Sequence, residues 1–113
     1  MRLIIFIGAI WLATMNLASA QPAYCRLKGP VFVESDPAKV QFRVFIEESD
    51  AFADLLVFKT ANALFADEPG LWFFTKNRAQ ADFSIQFVAE RSLADFSIHY
   101  IETESFAGCQ TSR

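Results

Sequence analysis

The stretch FSIQFVAERSLADFSIHYIETESFAG, residues 83–108, consists of two consecutive copies of one unit of 13 residues. Four further copies precede it: GPVFVESDPAKVQ (29–41), FRVFIEESDAFAD (42–54), LLVFKTANALFAD (55–67) and LWFFTKNRAQAD (71–82). Copies of one length and pattern must bury their apolar side chains in the same way, so a fixed period predicts a repeat architecture in which each copy packs against others. The repeat therefore indicates the fold class and leaves the chemistry open.

The first and third positions of the unit are apolar in nearly every copy, for example Phe83 and Ile85. Alternation with a period of two predicts β-strands separated by polar turns. A strand of about nine residues, such as 51–59, and a turn of about four would fill the period. In the earlier copies the alternate positions are apolar too, which predicts strands buried on both faces. Polar alternates such as Ser84 and Ser97 predict one wet face in the last two strands, so the array should be wettest at its C-terminal end.

The connections between strands are expected to be broad turns or arches. Only three glycines follow the first twenty residues, whereas tight hairpin turns favour glycine. The single insertion between copies, Glu-Pro-Gly at 68–70, predicts a looser corner. An amphipathic helix over residues 49–67 is the alternative. We favour strands there, because equivalent copies are expected to share one structure.

The first twenty residues have the features of a secretory leader. Arg2 precedes an apolar run over residues 3–15, and the small residues at 18–20 form a site that signal peptidase accepts, so cleavage is expected before Gln21. The run is shorter than the roughly 20 residues of a spanning helix, so no membrane anchor is expected after cleavage. The remainder divides into a lead-in over 21–28, one β-repeat domain over 29–109 and a tail over 110–113.

The charge of the chain argues against two classes of partner. The chain carries 10 Lys and Arg against 13 Asp and Glu, and the leader removes only Arg2 from these. The charges are spread along the copies without a basic cluster, whereas nucleic acids and anionic membranes select Lys and Arg patches. We expect neither as a partner. No glycine-rich phosphate loop occurs, so no cofactor is expected either.

Two cysteines bracket the array. Cys25 lies just before the first copy and Cys109 immediately after the last. An exported protein enters a compartment in which disulfides persist, so we expect the two to be joined. Closing a loop of 84 residues would restrict the unfolded chain by roughly 4 to 5 kcal/mol. A metal site is not expected, because two cysteines and the single histidine do not supply four ligands.

The short motifs that recur in the copies resemble those of a known family. Copies of the form Phe-Ala-Asp, hydrophobic, any residue, Val, Phe, as at 52–58, combine with a cysteine ahead of the first copy and the terminal run Ser-Phe-Ala-Gly-Cys at 105–109. This series resembles the septoil knot family over residues 25–109, although Lys39 and Gln80 replace the aromatic in two copies. The resemblance implies an all-β, tightly wrapped single domain whose backbone forms a seven-crossing torus knot. It implies no activity and no catalytic residues.

The most regular polar feature is a column of aspartates with one member in each of four copies. Its members are Asp54, Asp67, Asp82 and Asp95. Stacked carboxylates are candidate calcium ligands, but the glycine-rich loops of calcium-binding repeats are missing. We therefore expect each aspartate to accept backbone N–H groups at a bend of the chain.

His99 is the only histidine and stands where earlier copies carry phenylalanine, at 32, 45, 58 and 74. A nucleophilic site would pair it with Ser97, Thr103 or Ser105 and a carboxylate. Adjacent residues of a strand point to opposite faces, which opposes such an alignment. We expect no catalytic residues and no enzymatic activity.

Aromatic alternates provide the candidate binding residues, which are Phe45, Phe58, Trp72 and Phe74. As one exposed column they would present rings to a sugar, a peptide or a protein. If buried, they form a second core layer, which their apolar flanks favour. The accessibility of Trp72 distinguishes the two. The sequence thus predicts an exported structural or interaction domain of unknown biochemical role, with a ligand-binding module as the alternative and a calcium-binding repeat or an enzyme less favoured.

Overall fold

The computed structural model describes residues 21–110, and the predicted leader lies outside them. Each copy of the repeat contributes one short strand. The strands are β1 (Gly29–Val33), β2 (Phe42–Ile46), β3 (Leu55–Lys59), β4 (Leu71–Phe74), β5 (Phe83–Phe87), β6 (Phe96–Tyr100) and a two-residue β7 (Gly108–Cys109). A one-turn 3₁₀ helix at Ala23–Arg26 precedes β1, and others lie between strands at Asp50–Phe52, Ala63–Phe65, Arg78–Gln80, Arg91–Leu93 and Glu104–Phe106. The predicted all-β repeat fold is confirmed. Over this part of the chain, no helix has the length and apolar character needed to cross a membrane.

Six of the described strands form a closed ring. Their order around it is β4, β1, β5, β2, β6, β3, and β3 pairs with β4 again to complete the circle. The pairings among these six are parallel. Strands from the second half of the chain lie between strands from the first half, so β5 separates β1 from β2 and β6 separates β2 from β3. The chain therefore travels around the barrel twice, and each copy pairs with the copy three further along.

The interior of the barrel is built from the third position of every copy. The six residues there are fully buried: Val31, Val44, Val57, Trp72, Ile85 and Ile98. First-position residues such as Leu55 and Phe83 extend the same core. Side chains of alternate strand residues fill a small barrel in layers, which is why the period-two pattern was informative. The predicted inward face is confirmed for five of the six copies.

The strand pairing corrects the register of the fourth copy. First-position Phe42 lies opposite third-position Ile85, and Gly29 lies opposite Trp72 in the equivalent pair. Trp72 is therefore a third-position residue, and the copy begins at Gly70 rather than at Leu71. All six copies then have 13 residues, and the insertion shrinks to residues 68–69. Gly70 has a φ of +88°, and a Cβ there would lie 2.5 Å from the backbone nitrogen of Gly108, so the position requires glycine.

The outer face of the last two strands is drier than the sequence predicted. Ser84 and Ser97 are 9% and 1% exposed, although their polarity indicated a wet side. The crossover segments cover them and supply hydrogen bonds: the hydroxyl of Ser84 donates to the Lys39 carbonyl at 3.2 Å, and the backbone N–H of Asp54 donates to the Ser97 hydroxyl at 3.2 Å. The predicted wettest end at the C terminus is wrong, because a polar residue with partners can be buried at little cost.

The strands are also shorter than expected. Residues 51–59 do not form one strand, because Asp50–Phe52 is a 3₁₀ turn and only Leu55–Lys59 is extended. The helical alternative over 49–67 is wrong, since that range contains β3 and two one-turn helices. Broad turns between strands are confirmed. Parallel neighbouring strands must be joined by crossover connections, and in a closed barrel these connections cover the outside.

The ends of the domain meet at a disulfide. Cys25 and Cys109 are bonded, with their Cα atoms 5.2 Å apart, as predicted. Cys109 belongs to β7, which runs antiparallel to β3 beside Leu55 and Leu56. Gly108 takes the place of the aspartate that ends four of the other five copies, and its φ of +128° is accessible to glycine alone at low cost. The bond therefore joins the lead-in to the last strand across the base of the ring.

Candidate functional site

The four predicted binding aromatics do not form one exposed face. Trp72 is fully buried inside the barrel, where its indole N–H donates to the Leu27 carbonyl at 3.1 Å. Phe74 is partly buried and packs against the core, edge-on to Tyr100 with ring centroids 6.4 Å apart. Phe45 and Phe58 lie on the outside, half-buried. The physical reason is register: a shift of one residue moves every side chain of a strand to the other face.

Phe32 and Phe45 are each covered by an arginine from a copy three further along. The Arg78 guanidinium lies 5.2 Å from the ring centre of Phe32, and that of Arg91 lies 5.9 Å from Phe45. Each arginine also forms an ion pair with the sixth-position glutamate of the covered copy, Glu34 or Glu47. We call each such site an arginine station. It consists of the fourth-position aromatic and the sixth-position residue of one copy, together with the ninth-position residue of the copy three further along. Cation–π contact and ion pair together fix the crossover against the barrel.

The first station contains the most buried charge of the described residues. Glu34 is 3% exposed, and its Oε1 accepts from Arg78 Nε at 2.8 Å and lies 2.6 Å from Nη2. Its Oε2 accepts from the backbone N–H of Asp36 at 3.0 Å. That N–H, together with the Arg78 guanidinium, holds the pKa of Glu34 below its usual value despite the burial. A charge this enclosed needs such partners to remain ionised.

The third station has no arginine. The equivalent positions hold Phe58, Thr60 and Glu104, so a carboxylate stands where the other two stations have a guanidinium. Thr60 donates its hydroxyl to the Asn62 carbonyl at 3.0 Å, and Glu104 is exposed. Glu104 also lines a surface cavity of about 510 Å³ with Glu68, Pro69, Leu71 and Gly108. The outer face of the barrel is thus closed by internal arginines at two of three equivalent places.

The aspartate column has a structural role at the positions where it bonds backbone. Asp54 Oδ2 accepts from the Ser97 N–H at 3.0 Å, and Asp95 Oδ2 accepts from the Arg43 N–H at 2.7 Å. Gln41 serves the same purpose in the first copy, where its Oε1 accepts from the Ser84 N–H at 3.0 Å. The predicted bonding to backbone N–H groups is confirmed for Asp54 and Asp95. Over residues 21–110, no group of three potential metal ligands comes together.

His99 and Ser97 are engaged separately. The His99 Nδ1 lies 2.9 Å from the Glu47 carbonyl, whereas the Ser97 hydroxyl, on the same face of the strand, donates to Asp54 Oδ2 at 3.3 Å. The register also shows that the aromatic equivalent to His99 in the fourth copy is Phe73, not Phe74. A serine, a histidine and a carboxylate are therefore present without the hydrogen-bonded order that nucleophilic catalysis uses.

Four large and strongly exposed apolar side chains lie at the eleventh position of the repeat, and Leu64 at the tenth position is 81% exposed as well. Phe52, Phe65, Leu93 and Phe106 are 66%, 62%, 58% and 68% exposed. Each belongs to the 3₁₀ turn of a crossover rather than to a strand. Soluble domains rarely leave several large apolar side chains this exposed without a function for them. These four residues are the candidate site.

The turns that bear the four residues follow one another around the ring because the chain interleaves. The turn bearing Leu93 packs on β2, that of Phe52 on β6, and that of Phe65 on β4 and β1. The turn bearing Phe106 leads into β7, which pairs with β3. Since β2, β6, β3 and β4 are consecutive around the ring, the four side chains follow one another around its outside. We call this surface the apolar arc.

The crossovers on the opposite side of the ring have polar residues at the eleventh position. In the crossover that contains Lys39, the Lys39 carbonyl accepts from Ser84 on β5. The crossover that contains Gln80 is bonded to the first copy: Arg78 donates to Glu34, and the Asp82 N–H donates to the Pro30 carbonyl. Lys39 and Gln80 occupy the eleventh position in these crossovers, and both are exposed. We call this surface the polar sector. The two departures from the aromatic consensus thus lie on crossovers bonded to the adjacent strands β5 and β1, although 41 residues separate them in the chain.

Comparison with known proteins identifies the family. Residues 24–110 match the family model of the 7(1) septoil knot domain. The chain belongs to the septoil knot family. Searches of curated proteins and of solved structures found no match. The match begins next to Cys25 and ends next to Cys109, so both halves of the disulfide belong to the septoil knot domain.

Charge divides the septoil knot domain along the same line as exposure. The crossovers of the apolar arc, residues 47–52, 60–65, 88–93 and 101–106, contain one basic residue, Arg91, which is already paired. Their acidic residues are Glu47, Glu48, Asp50, Glu90, Glu102 and Glu104. The crossovers of the polar sector, 34–39 and 75–80, instead have a slight positive excess, from Lys39, Lys76 and Arg78 against Glu34 and Asp36. The negative charge of the domain is concentrated beside its exposed apolar residues.

The sequence contained a signal for the apolar arc that the strand pattern concealed. The Phe-Ala-Asp motifs at 52–54 and 65–67 are the clearest part of the repeat, and the strand that the pattern predicts over 51–59 includes the first of them. When the residues before a strand form a 3₁₀ turn, the period-two pattern of the strand does not show whether an apolar side chain in that turn points inward or outward. Only the fold reveals that these phenylalanines point outward.

Proposed function

We propose that this septoil knot domain is an exported, disulfide-closed interaction module that binds a protein partner on the apolar arc. The observation that carries the proposal is the exposure of Phe52, Phe65, Leu93 and Phe106 on adjacent crossovers. Large apolar side chains grouped on a surface and rimmed by charge mark protein contact sites. Aromatic residues also supply much of the binding energy at such sites.

Export is supported by the disulfide between Cys25 and Cys109, since such bonds persist in oxidising compartments. The sequence of the first twenty residues adds a secretory leader with cleavage before Gln21. Producing the full-length gene in an export-competent host and sequencing the N terminus of the exported protein tests this. A mature N terminus at Gln21 is expected, whereas retention of Met1 in a cytoplasmic fraction would contradict it.

A protein is favoured over a sugar as the ligand. Sugar-binding faces use flat, exposed rings with polar groups beside them, and the tryptophan that best serves this purpose, Trp72, is buried. We propose no catalytic function, because Ser97 and His99 are each held by a different partner. A purely structural domain would have no use for the apolar arc.

Peptide display tests the proposal. Peptides selected against the oxidised, exported protein are titrated into the wild type, the arc variant Phe52→Ser/Phe106→Ser and the matched variant Lys39→Ser/Gln80→Ser of the polar sector. We expect the arc variant to weaken binding at least about tenfold and the matched variant to change it less than about twofold. Both variants should unfold within about 0.5 kcal/mol of the wild type, because the side chains are exposed. Selected peptides that bind the arc variant as tightly as the wild type would overturn the proposal.

We also propose that the backbone is knotted as a seven-crossing torus knot. The support is the double circuit, in which β4, β5 and β6 lie between strands of the first circuit. A chain that winds twice through its own path must thread an end, which few proteins do. Mechanical unfolding of the reduced protein tests this: a knotted chain stretched by its ends stays shorter than the roughly 3.3 to 3.6 Å per residue of a free chain. A fully extended contour would refute the knot.

A further inference from the structure

We propose that the partner of the apolar arc is a cationic, apolar segment of another protein, and that one of its arginine or lysine side chains occupies the third arginine station. This inference rests on the proposed function, because it specifies the partner of the same surface. Two features independent of the exposed phenylalanines support it: the charge of the surrounding crossovers and the missing third arginine.

Charge around the arc selects a basic partner. Glu48, Asp50, Glu90, Glu102 and Glu104 belong to the crossovers that bear Phe52, Leu93 and Phe106, and all five are exposed. The one basic residue of these crossovers, Arg91, is bound to Glu47. A positively charged segment is therefore attracted to the arc, and an acidic segment is repelled. The same charge opposes an arc-to-arc contact between two copies of this chain, and it opposes an anionic membrane.

The third station specifies where a basic side chain fits. In the first two stations a guanidinium lies over a phenylalanine ring and against a glutamate, at Arg78 on Phe32 and Arg91 on Phe45. At the third, Phe58 is in the same position on the barrel, but the residue equivalent to the arginine is Glu104. An incoming arginine would find the ring of Phe58 as its two internal counterparts find theirs, and Glu104 on the crossover would supply a carboxylate in place of the sixth-position glutamate, which is Thr60 here.

The cavity that Glu104 lines is large enough to admit a side chain of a partner. It measures about 510 Å³ and contains Glu104 and Glu68 among apolar groups of Pro69, Leu71 and Ala107. Ligand pockets occupy roughly 300 to 1,000 Å³. Phe106 follows Glu104 by two residues and is 68% exposed, so the cavity adjoins the arc. A segment that places an apolar side chain on Phe106 is therefore positioned to extend a basic side chain into this cavity.

A pair of synthetic peptides tests the inference. Both have the same apolar residues on one face, and the polar positions are arginine in one and glutamate in the other. Binding is measured by fluorescence anisotropy to the oxidised protein in low and in physiological salt. We expect the arginine peptide to bind at least about tenfold more tightly than the glutamate peptide, with a difference that shrinks as salt screens the charges.

Three variants locate the effect. Glu104→Arg fills the third station internally and should weaken the arginine peptide by about tenfold or more, whereas Glu104→Gln removes only the charge and should weaken it a few-fold. Asp36→Arg makes the same charge change on the polar sector and should alter binding less than about twofold. Equal effects of Glu104→Arg and Asp36→Arg would overturn the station, and equal affinity of the two peptides would overturn the basic partner.

Failure of the inference and failure of the proposed function give different results. If display yields peptides that depend on Phe52 and Phe106 but are neutral or acidic, the arc binds proteins and the inference is wrong. If no selected peptide depends on those residues, the arc is not a binding surface. A concentration-dependent dimer that the arc variant abolishes in sedimentation would show that the occupant is a second copy of this chain, which would also overturn the inference.

Discussion

Asp54 and Ser97 lie 43 residues apart in the chain and bind each other through both backbone and side chain. The Asp54 N–H donates to the Ser97 carbonyl at 3.0 Å, and the Ser97 N–H donates to Asp54 Oδ2 at 3.0 Å. Gln41 and Ser84 repeat the pattern at the same separation. The end of one crossover is thus bonded to the strand beneath it in successive copies. This relationship, rather than any local turn, fixes each crossover to the second circuit of the chain.

Replacing Asp54 by alanine should destabilise the domain by about 1 to 3 kcal/mol, since the Ser97 N–H beneath it would lose its acceptor in a buried position. Asp95→Ala is the matched control, because Asp95 makes the same contact to the exposed Arg43. Urea unfolding of the two variants compares them. A loss in Asp95→Ala as large as in Asp54→Ala would show that burial of the contact does not matter.

The sequence predicted the inward face and the disulfide but not the strand order. The period-two alternation along one strand is a local property, and it predicts that Val31 and Ile98 face inward. Pairing is not local: all copies look alike, so nothing in the sequence says that a strand pairs with the copies three and four further along. The register of Trp72 was missed for a related reason, because the pattern of one apolar strand permits a shift of one residue that only pairing with Gly29 resolves.

The apolar arc could not be predicted from the sequence either. Phe52 and Phe83 are both phenylalanines next to apolar neighbours, yet one is 66% exposed and the other 4%. Their difference arises from the turn that holds Phe52 outside the barrel. That Leu93 and Phe52 become neighbours depends on the interleaving of two circuits, which is a property of the whole chain.

Gly70→Ala should be among the most destabilising single substitutions, at roughly 2 to 4 kcal/mol. The residue has a φ of +88°, and an added Cβ would meet the backbone of Gly108 at 2.5 Å and of Leu56 at 2.8 Å. Gly29→Ala is the informative comparison. Its φ is also positive, but the nearest obstacle is the side chain of Asp82, which can move. Thermal unfolding should place Gly70→Ala well below Gly29→Ala, and the reverse order would contradict the close approach of β4 and β7.

The free energy of unfolding should decrease in acid, and Glu34→Gln should remove the part of this decrease that Glu34 causes. The pKa of Glu34 is lowered in the folded state by the Asp36 N–H and by Arg78, so the native state favours the ionised form. The resulting stability is present above the ordinary pKa of 4.5 and is lost as the pH falls through the lower folded-state pKa. We therefore expect wild type and Glu34→Gln to differ at neutral pH and to converge in acid. Urea midpoints measured across this range check it; a constant difference would refute it.

At alkaline pH, Tyr100 should contribute to a decrease in the free energy of unfolding. Burial raises its pKa to about 12 from 10, so the native state favours the neutral phenol. Its contribution is complete below pH 10 and is lost as the pH rises through 12, because the unfolded chain ionises first. Tyr100→Phe should flatten the decline of the unfolding free energy over this window. If the slope of the variant matches that of the wild type, another group governs alkaline unfolding.

Removing the disulfide should cost up to about 4 to 5 kcal/mol, since the bond between Cys25 and Cys109 closes a loop of 84 residues. The variant Cys25→Ser/Cys109→Ser and the reduced wild type should lose stability equally, which separates the effect of the cross-link from that of the serines. The ring itself does not depend on the bond, because its six strands pair within residues 29–100. Reduction is therefore expected to lower the urea midpoint while leaving the far-UV spectrum of the folded state intact. A reduced protein that is unfolded without denaturant would mean that the barrel is stable only when the disulfide joins the ends of the domain.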